Sequence, residues 1–401
     1  MNFQFKVFIT KSQIDQRAKI QAMNRDNPLI WVEISQSALT HNFQIFRALV
    51  GSGVELAPMV KANAYGHGLR ACSRIFRAAG AEYLAVNSIF EAEKIRATGD
   101  AGRIYIAGYT PLAELKNAVE LDAEFVVFNF ETLEKLAELD LPAQIHLKVE
   151  TGTNRQGLQK QDIPRFLEKI KILPKVELVG VAMHFADIED TTSHDFARQQ
   201  LAEFKAIRQL IEAAGFPHLK FHAANSAATL LWDSTHFQIC RTGIANYGMW
   251  PSEETFISLA ENRQNKIVLR PVLTWKTRIA QIKTIQPGDS VGYGRAFVAS
   301  KEMRIAILPI GYFDGFARDY AEKGSVLIAG QRAKILGRVC MNILMVDVSA
   351  IPAAKLEDEV VLLGKSGEEE ITAEEIGAWG GTINYEVTTR IRENILRKVV
   401  D

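Results

Sequence analysis

The chain has few of the features that mark a specialised protein. Its 401 residues include only three cysteines, Cys72, Cys240 and Cys340, an odd and widely spaced set. Neither a disulfide framework nor a zinc pattern fits that spacing, and Cys340, in R-V-C-M-N, reads as a small apolar filler. Lys+Arg and Asp+Glu both number 47, so no surplus charge favours nucleic acid or an anionic membrane as partner. No apolar run approaches the length of a membrane span, and the N-terminus lacks the continuous apolar core of a signal peptide. A cytoplasmic protein is expected. No internal repeat, low-complexity tract or metal-ligand spacing stands out. The glycine fingerprint that usually follows the first strand of a dinucleotide-binding sheet is missing too.

What is present is an ordinary globular composition, 47% hydrophobic and 23% charged, at a length that suggests two or three domains. One stretch stands out, Val60 to Gly68, V-K-A-N-A-Y-G-H-G. The apolar run Leu56 to Val60 leads into it and a helical pattern from Leu69 to Ala79 follows, so Lys61 sits where a strand gives way to a loop. An amine held there loses hydration, which lowers its pKa and makes it a better nucleophile toward carbonyls. The nine-residue string resembles the cofactor-lysine signature of the alanine racemases, pyridoxal-phosphate enzymes that share a barrel with some amino-acid decarboxylases.

Residues 1–28 read as a loosely docked extension, followed by a short strand at about 29–35. From there short apolar runs alternate with helical patterns. The runs are 56–60, 83–86, 103–107, 125–128, 144–149, 177–183, 219–224 and 237–240; the helices are 69–79, 89–97, 112–120, 131–138, 162–171, 195–214 and 226–232. Such alternation demands parallel pairing, and this many units predict a (β/α)8 TIM-type barrel over 36–262. An open doubly wound sheet is the structural alternative. Near residue 263 the texture changes to β-type runs separated by turn signals such as Pro287-Gly288-Asp289 and Ser366-Gly367, with one helix near 373–379. That pattern predicts a C-terminal antiparallel β-rich domain, 263–401, joined by the strand at 29–35. The fold class is thus α/β with two domains.

Catalytic groups of a barrel come from the C-terminal ends of its strands. The unusual residues fall there: Lys61 after the first, Thr151 to Gly157 after the fifth, His184 after the sixth, Asn225 and Ser226 after the seventh, Arg241 and Gly243-Ile244 after the eighth. Ser226 opens a helix, and the Gly243-Ile244 backbone can bring N–H groups to an anion. A phosphate site and a lysine that seeks an electrophile suggest pyridoxal 5'-phosphate, whose aldehyde would take Lys61 as a Schiff base. Arg241 discriminates between chemistries. An always-charged arginine can only donate to the ring nitrogen, which leaves the ring a weaker electron sink than a carboxylate partner would. That favours racemisation over decarboxylation.

Further strings look like alanine racemase motifs in the family's order: H-A-A-N-S-A-A (222–228), R-T-G-I-A-N-Y-G (241–248), V-G-Y-G (291–294), G-Y-F-D-G (311–315), G-R-V-C-M-N (337–342) and I-N-Y-E-V (383–387). The resemblance implies that Lys61 binds the cofactor and is one of two bases, with Tyr293 the other, reaching in from the second subunit of a homodimer. It implies that Tyr65, Ser226, Gly243, Ile244 and Tyr385 hold the phosphate, with Asn225 beside them. Arg241 would face the ring nitrogen, Arg155 the cofactor and the substrate carboxylate, and His184 would support Tyr293. The backbone at Met341 would help bind the carboxylate. Tyr312, Arg318, Arg338 and Glu189 would line the entrance, and Lys148 matches a lysine that some members carry as a carbamate. No metal is implied. The activity implied is interconversion of L- and D-alanine, supplying D-alanine for peptidoglycan, with a broader amino-acid racemase taking serine or larger substrates as the alternative. The sequence also departs from the family. G-T-N-R-Q-G (152–157) stands where G-M-G-R-L-G or G-M-N-R-L-G is usual, which places Thr153 near the substrate. Asn342 and Glu189 stand where Asp is common, and Thr242 replaces a common Phe.

Overall fold

The computed structural model describes residues 27–261 and 267–401. The expected N-terminal extension lies outside the described residues, except for its last two positions. Strand β1 is Ile30–Ser35. Eight parallel strands follow: β2 Glu55–Leu56, β3 Tyr83–Val86, β4 Arg103–Ile106, β5 Ala123–Val127, β6 Ala143–Lys148, β7 Val176–Ala182, β8 Lys220–His222 and β9 Ile239–Cys240. Six of these, β3 to β8, pair in chain order. The rest of the ring is carried by fewer bonds. Strand β2 pairs with β9, Glu55 opposite Ile239 and Leu56 opposite Cys240. Val60 N–H donates to the Ala85 carbonyl at 2.8 Å, which joins the continuation of β2 to β3, and Gln238 N–H donates to the Phe221 carbonyl at 3.1 Å, which joins β8 to β9. The eight strands predicted from the sequence are therefore the staves of a closed barrel, and the open-sheet alternative falls.

The helices of the barrel are capped by the residues that favour capping. Ser88 accepts from Glu91 N–H while the Glu91 carboxylate accepts from Ser88 N–H, a reciprocal pair that opens Ile89–Arg96. Asn129 caps Phe130–Leu139 by accepting from Thr132 N–H, and Asn225 caps Ser226–Leu231 by accepting from Ala228 N–H. The barrel interior is polar at its centre. Tyr105, His146 and His222 are all buried on neighbouring or near-neighbouring strands, and on one strand the alternation His146, Lys148 places both on one face.

The chain forms two compact units. The barrel unit comprises 34–273 with 384–389 and 399–401, so the helix Asn384–Thr389 carrying Tyr385 clusters with the barrel and not with the sheet that precedes it. The other unit takes the described residues up to 33, with 274–383 and 390–398. Its strands are β10 Leu273–Arg278, β11 Gln281–Ile285, β12 Ser290–Val291, β13 Phe297–Val298, β14 Met303–Leu308, β15 Ser325–Ile328, β16 Gln331–Leu336, β17 Leu344–Asp347, β18 Glu359–Ser366, β19 Glu369–Ile371 and β20 Leu396–Val400. The long sheet runs β11-β14-β17-β16-β15-β18-β10-β1-β20, with antiparallel pairs such as β11–β14 and β15–β18. Alternating apolar residues give this sheet its core, including Ile285, Val291, Met303, Ile305, Leu336 and Met345. The helix expected near 373–379 is Ala373–Gly380, capped by Thr372. Among the described residues no helix is long and apolar enough to cross a membrane.

Candidate active site

Lys61 leaves the first barrel strand into an unusual turn. Ala62, Asn63, Ala64 and Tyr65 all lie at positive φ, between 52° and 55°. Left-handed backbone costs a non-glycine residue about 1–2 kcal/mol, so this turn must be held by its surroundings. Ala64 N–H donates to the Val60 carbonyl and Gly66 N–H to that of Ala62. The Asn63 side chain accepts from Leu69 N–H at 2.8 Å, and Glu91 accepts from Ala62 N–H at 2.7 Å. Glu91 thus closes its own helix and fixes the first peptide after Lys61. Four residues with side chains make the turn, ahead of Gly66 and Gly68, because tertiary hydrogen bonds outweigh the local preference.

The Lys61 amine is pushed below the ordinary lysine range, first by burial and then by the cations Arg155 and Arg241, against the pull of Glu91. Lys148 is pushed down further, by burial and by Arg241 and Arg155, with Glu150 opposing. His184 is also lowered, by burial and then by Lys148, Arg241, Arg155 and Lys61. The mouth of the barrel is therefore a concentration of positive groups that repel one another. Such a cluster is complete only with an anion among them. Arg155 is exposed on its loop.

A cradle lies beside these cations. Ser226 Oγ accepts from Gly243 N–H at 2.7 Å and from Ala245 N–H at 3.5 Å. A Cβ at Gly243 would lie 2.8 Å from the Tyr65 hydroxyl and 3.8 Å from Ser226 Oγ, so a side chain there would close the space. Ile244 follows as the first residue of a short 3-10 turn, Ile244–Tyr247. The Tyr65 ring is 5.2 Å from Tyr247 and 6.1 Å from Tyr385. Burial raises the pKa of the Tyr65 phenol, and of Tyr385 likewise, so both are hydrogen-bond donors at neutral pH. Hydroxyls, backbone N–H groups and a helix start converge here, a donor set suited to a phosphate.

Arg241 is buried, and four of its five N–H groups are occupied. Its Nη1 donates to His222 Nδ1 at 2.6 Å and to the His222 carbonyl at 2.9 Å. Its Nη2 donates to the carbonyls of Met183 at 2.7 Å and Ala223 at 3.2 Å. Among the described residues no carboxylate is hydrogen-bonded to it. Asn225, besides capping its helix, donates from Nδ2 to Glu189 at 2.7 Å, and burial raises the Glu189 pKa. Glu189, expected at the entrance, is a partly buried brace for the helix at Ser226. Thr153 donates its hydroxyl to the His184 carbonyl at 2.7 Å, and Gln200 Nε2 donates to the same oxygen at 3.3 Å. The hydroxyl that distinguishes this chain from the usual Met is thus engaged with the backbone.

The second unit presents the remaining expected residues. Tyr293 is 72% exposed, in the 3-10 turn Tyr293–Arg295. It lines a groove of about 560 Å³ with Lys283, Cys340, Met341, Ile343 and Met345. Met341 and Tyr312 are also exposed, as are Arg318 and Arg338. The loop 311–315 is pinned to the neighbouring loop, Tyr312 N–H to the Cys340 carbonyl at 3.1 Å and Phe313 N–H to that of Met341 at 3.0 Å. Sequence reasoning passed over Glu91, Glu124, His146, His222 as a side chain, and Gln200. A usable signal existed for His146, a polar residue at even spacing from Gln144 and Lys148 in a strand that alternates apolar and polar residues.

A closed parallel barrel with its chemistry at the C-terminal strand ends, followed by an antiparallel sheet unit, is the architecture of a barrel enzyme built around a phosphate-bearing cofactor. The sequence matches the family description "Alanine racemase, N-terminal domain" over residues 34–251 and "Alanine racemase, C-terminal domain" over 272–399. It is 38% identical over 380 residues to the alanine racemase of Leptospira interrogans, spanning 94% of this chain and 97% of that protein. It is 38% identical to that of Syntrophobacter fumaroxidans, spanning 91% and 96%. Among solved structures it is similar to the alanine racemase of Bacillus anthracis with bound L-Ala-P, with a TM-score of 0.87 and 31% identity over 93% of this chain and 95% of that one. The chain belongs to the alanine racemase family, the pyridoxal-phosphate-dependent isomerases with this fold. The residues at the mouth fit that cofactor: a desolvated amine for its aldehyde, the Gly243 cradle for its phosphate, and a guanidinium with no carboxylate alternative for its ring.

Proposed function

We propose that this protein interconverts L- and D-alanine by moving the α-proton between two bases, Lys61 on one face of the substrate carbon and Tyr293 on the other. The observation that carries the reading is Arg241, a buried guanidinium held only by carbonyls and a histidine, where a decarboxylase of the same barrel would carry an acid. When bound, pyridoxal phosphate supplies an electron-withdrawing ring that acidifies the α-carbon. Lys61 is a competent base because burial and neighbouring cations keep its amine uncharged more readily than in water. Arg241 would donate to the ring nitrogen, which would leave the ring a weaker electron sink and favour prompt return of the proton. Tyr65, Ser226, Gly243, Ile244 and Tyr385 would hold the phosphate, with Asn225 and Glu189 fixing the helix that presents Ser226. Arg155 would bind the substrate carboxylate.

Tyr293 works in this reading across a homodimer, each subunit lending its tyrosine to its partner. The support is an aromatic 72% exposed in a groove that also bares Met341 and Ile343, an arrangement that leaves apolar surface to be covered by another chain. Tyr312, Arg318 and Arg338 line the approach. Lys148 carries a carbamate: its neutral amine adds carbon dioxide and releases one proton, and the anion formed answers Arg155 and Arg241. Labelled bicarbonate tests this by NMR; a protein showing no carbamate signal beyond that of Lys148→Ala removes the claim. The D-alanine supplies peptidoglycan precursors in the cytoplasm. The relatives favour alanine over the broader scope that the sequence alone allows.

The deciding experiment is proton NMR of L-alanine with protein and pyridoxal phosphate in heavy water, followed by chiral analysis. Loss of the α-proton signal with appearance of D-alanine is expected. Exchange on serine or lysine with none on alanine would overturn the substrate and keep the mechanism.

A further inference from the structure

Behind Arg241 a line of buried side chains crosses the barrel interior. His222 Nε2 lies 2.9 Å from His146 Nδ1, and His146 Nε2 lies 2.7 Å from Glu124 Oε2. Glu124 in turn accepts from Arg103 Nε at 2.8 Å and from the Tyr83 hydroxyl at 3.0 Å. The two imidazoles stand edge to face, with Tyr105 packed edge-on against both. Space for the His146 ring is made by Gly180 on β7, where a Cβ would lie 2.3 Å from His146 Nδ1.

The direction of every proton in this line follows from one fact. Arginine only donates, so His222 Nδ1 must be a bare acceptor. A neutral His222 then carries its proton on Nε2 and donates it to His146 Nδ1. His146 must carry its own proton on Nε2 and donate to Glu124. The reverse order would need Glu124 as a donor, yet two further donors already point at its carboxylate. Both imidazoles are held neutral by burial, and Glu124 is held down to about 2 by His146 and Arg103, in spite of its burial. The line therefore runs one way, from cation to carboxylate.

We propose that Glu124 and His146 are positioning residues for Arg241: acting through His222, they fix the tautomer that receives the guanidinium and so aim its one remaining N–H, on Nε, at the cofactor's ring nitrogen. This rests on the reading that Arg241 faces that nitrogen. Without the carboxylate at the far end, His146 is free to turn its proton toward His222. His222 then offers an N–H to Arg241, two donors face each other, and the guanidinium is displaced. A residue deep in the barrel thus acts on the ring without touching it.

Histidine nitrogen NMR on labelled, cofactor-free protein tests the line, with signals assigned by single substitution. The expected result is a proton on Nε2 and a bare Nδ1 for both His222 and His146. A proton on His222 Nδ1 would overturn the proposal, and this measurement needs no variant. Glu124→Gln keeps an acceptor for His146 and should preserve both tautomers, whereas Glu124→Leu should scramble them. Glu124→Leu should also weaken pyridoxal-phosphate binding about tenfold, the size of one lost orienting hydrogen bond, and shift the visible band of the bound cofactor. Scrambled tautomers with binding and band unchanged would overturn the positioning role. Arg241→Leu leaving that band unchanged would strike the reading of Arg241 itself, which separates the two failures.

Discussion

The two units handle their functional groups in opposite ways. In the barrel, Arg241, His222, His146 and Glu124 are hydrogen-bonded in a line and nearly all buried. In the sheet unit, Tyr293, Met341 and Ile343 stand exposed on loops beside a packed core. The first arrangement is complete within one chain and specifies orientation, because a buried polar network tolerates one proton pattern. The second exposes apolar surface that, in the proposed homodimer, a second chain would cover. In the proposed reaction the two bases divide the same way: Lys61 is tuned by burial inside the barrel, and Tyr293 stands on that exposed surface.

The strongest way to break the comparison is to remove the tuned base. Lys61→Ala should lower racemisation by about 10⁴-fold or more and abolish covalent attachment of the cofactor, read by activity and by borohydride trapping. Tyr293→Phe should lower it by about 10²–10⁴-fold, the usual contribution of a proton-transfer group. Because the side chain is so exposed, the melting temperature should stay unchanged. Mixing the two inactive variants should restore activity through hybrid dimers; no recovery despite proven subunit exchange would count against a shared site.

Two stability tests sharpen the contrast. Gly180→Ala forces a methyl into the His146 ring and should destabilise by about 1–3 kcal/mol, as overpacking does, in a urea titration. An alanine at Gly330, whose nearest neighbour lies 3.6 Å away, meets no such clash but keeps the strain of its positive φ. The pH dependence has a definite sign. Glu124 has a folded pKa of about 2 against 4.5 unfolded, so its stabilisation is present above pH 4.5 and is lost as pH falls toward 2. The buried neutral histidines 146 and 222 add to the same trend, since their unfolded forms take up protons below about 6.5. Stability should fall from about pH 6.5 as the unfolded histidines take up protons and go on falling from pH 4.5 toward 2, by up to a few kcal/mol in all, and Glu124→Gln should flatten the part below about pH 4.5. The smallest effect is expected at Thr153. Removing its bond to the His184 carbonyl should cost about 1 kcal/mol and change kcat/KM for alanine only a few-fold; a larger shift toward serine would show Thr153 to be a substrate contact.

Much of this was legible in order of appearance along the chain. Strands and helices alternate in runs whose periods differ, and each barrel strand was found within a few residues because turn residues bracket it. Lys61, Ser226 and Arg241 stood out by their place after those strands. The left-handed turn at 62–65 was not legible, since alanine carries no local signal for positive φ and the Glu91 carboxylate that holds it is 29 positions away. Glu189 is placed at the entrance by the resemblance alone, and nothing local in the sequence points to its hydrogen bond with Asn225, 36 positions away.

The sequence by itself determined the class of fold, through the alternation of apolar runs, and the residues that end the strands, through glycine, serine and arginine placed where apolar patterns stop. Only the tertiary structure decided which polar side chains share the barrel interior. Glu124, His146, His222 and Arg241 lie 22, 76 and 19 positions apart, and no local pattern links them. They meet because closing the ring brings one face of each strand to a common axis, where burial forbids an unpaired group and one fixed donor sets the direction of the rest.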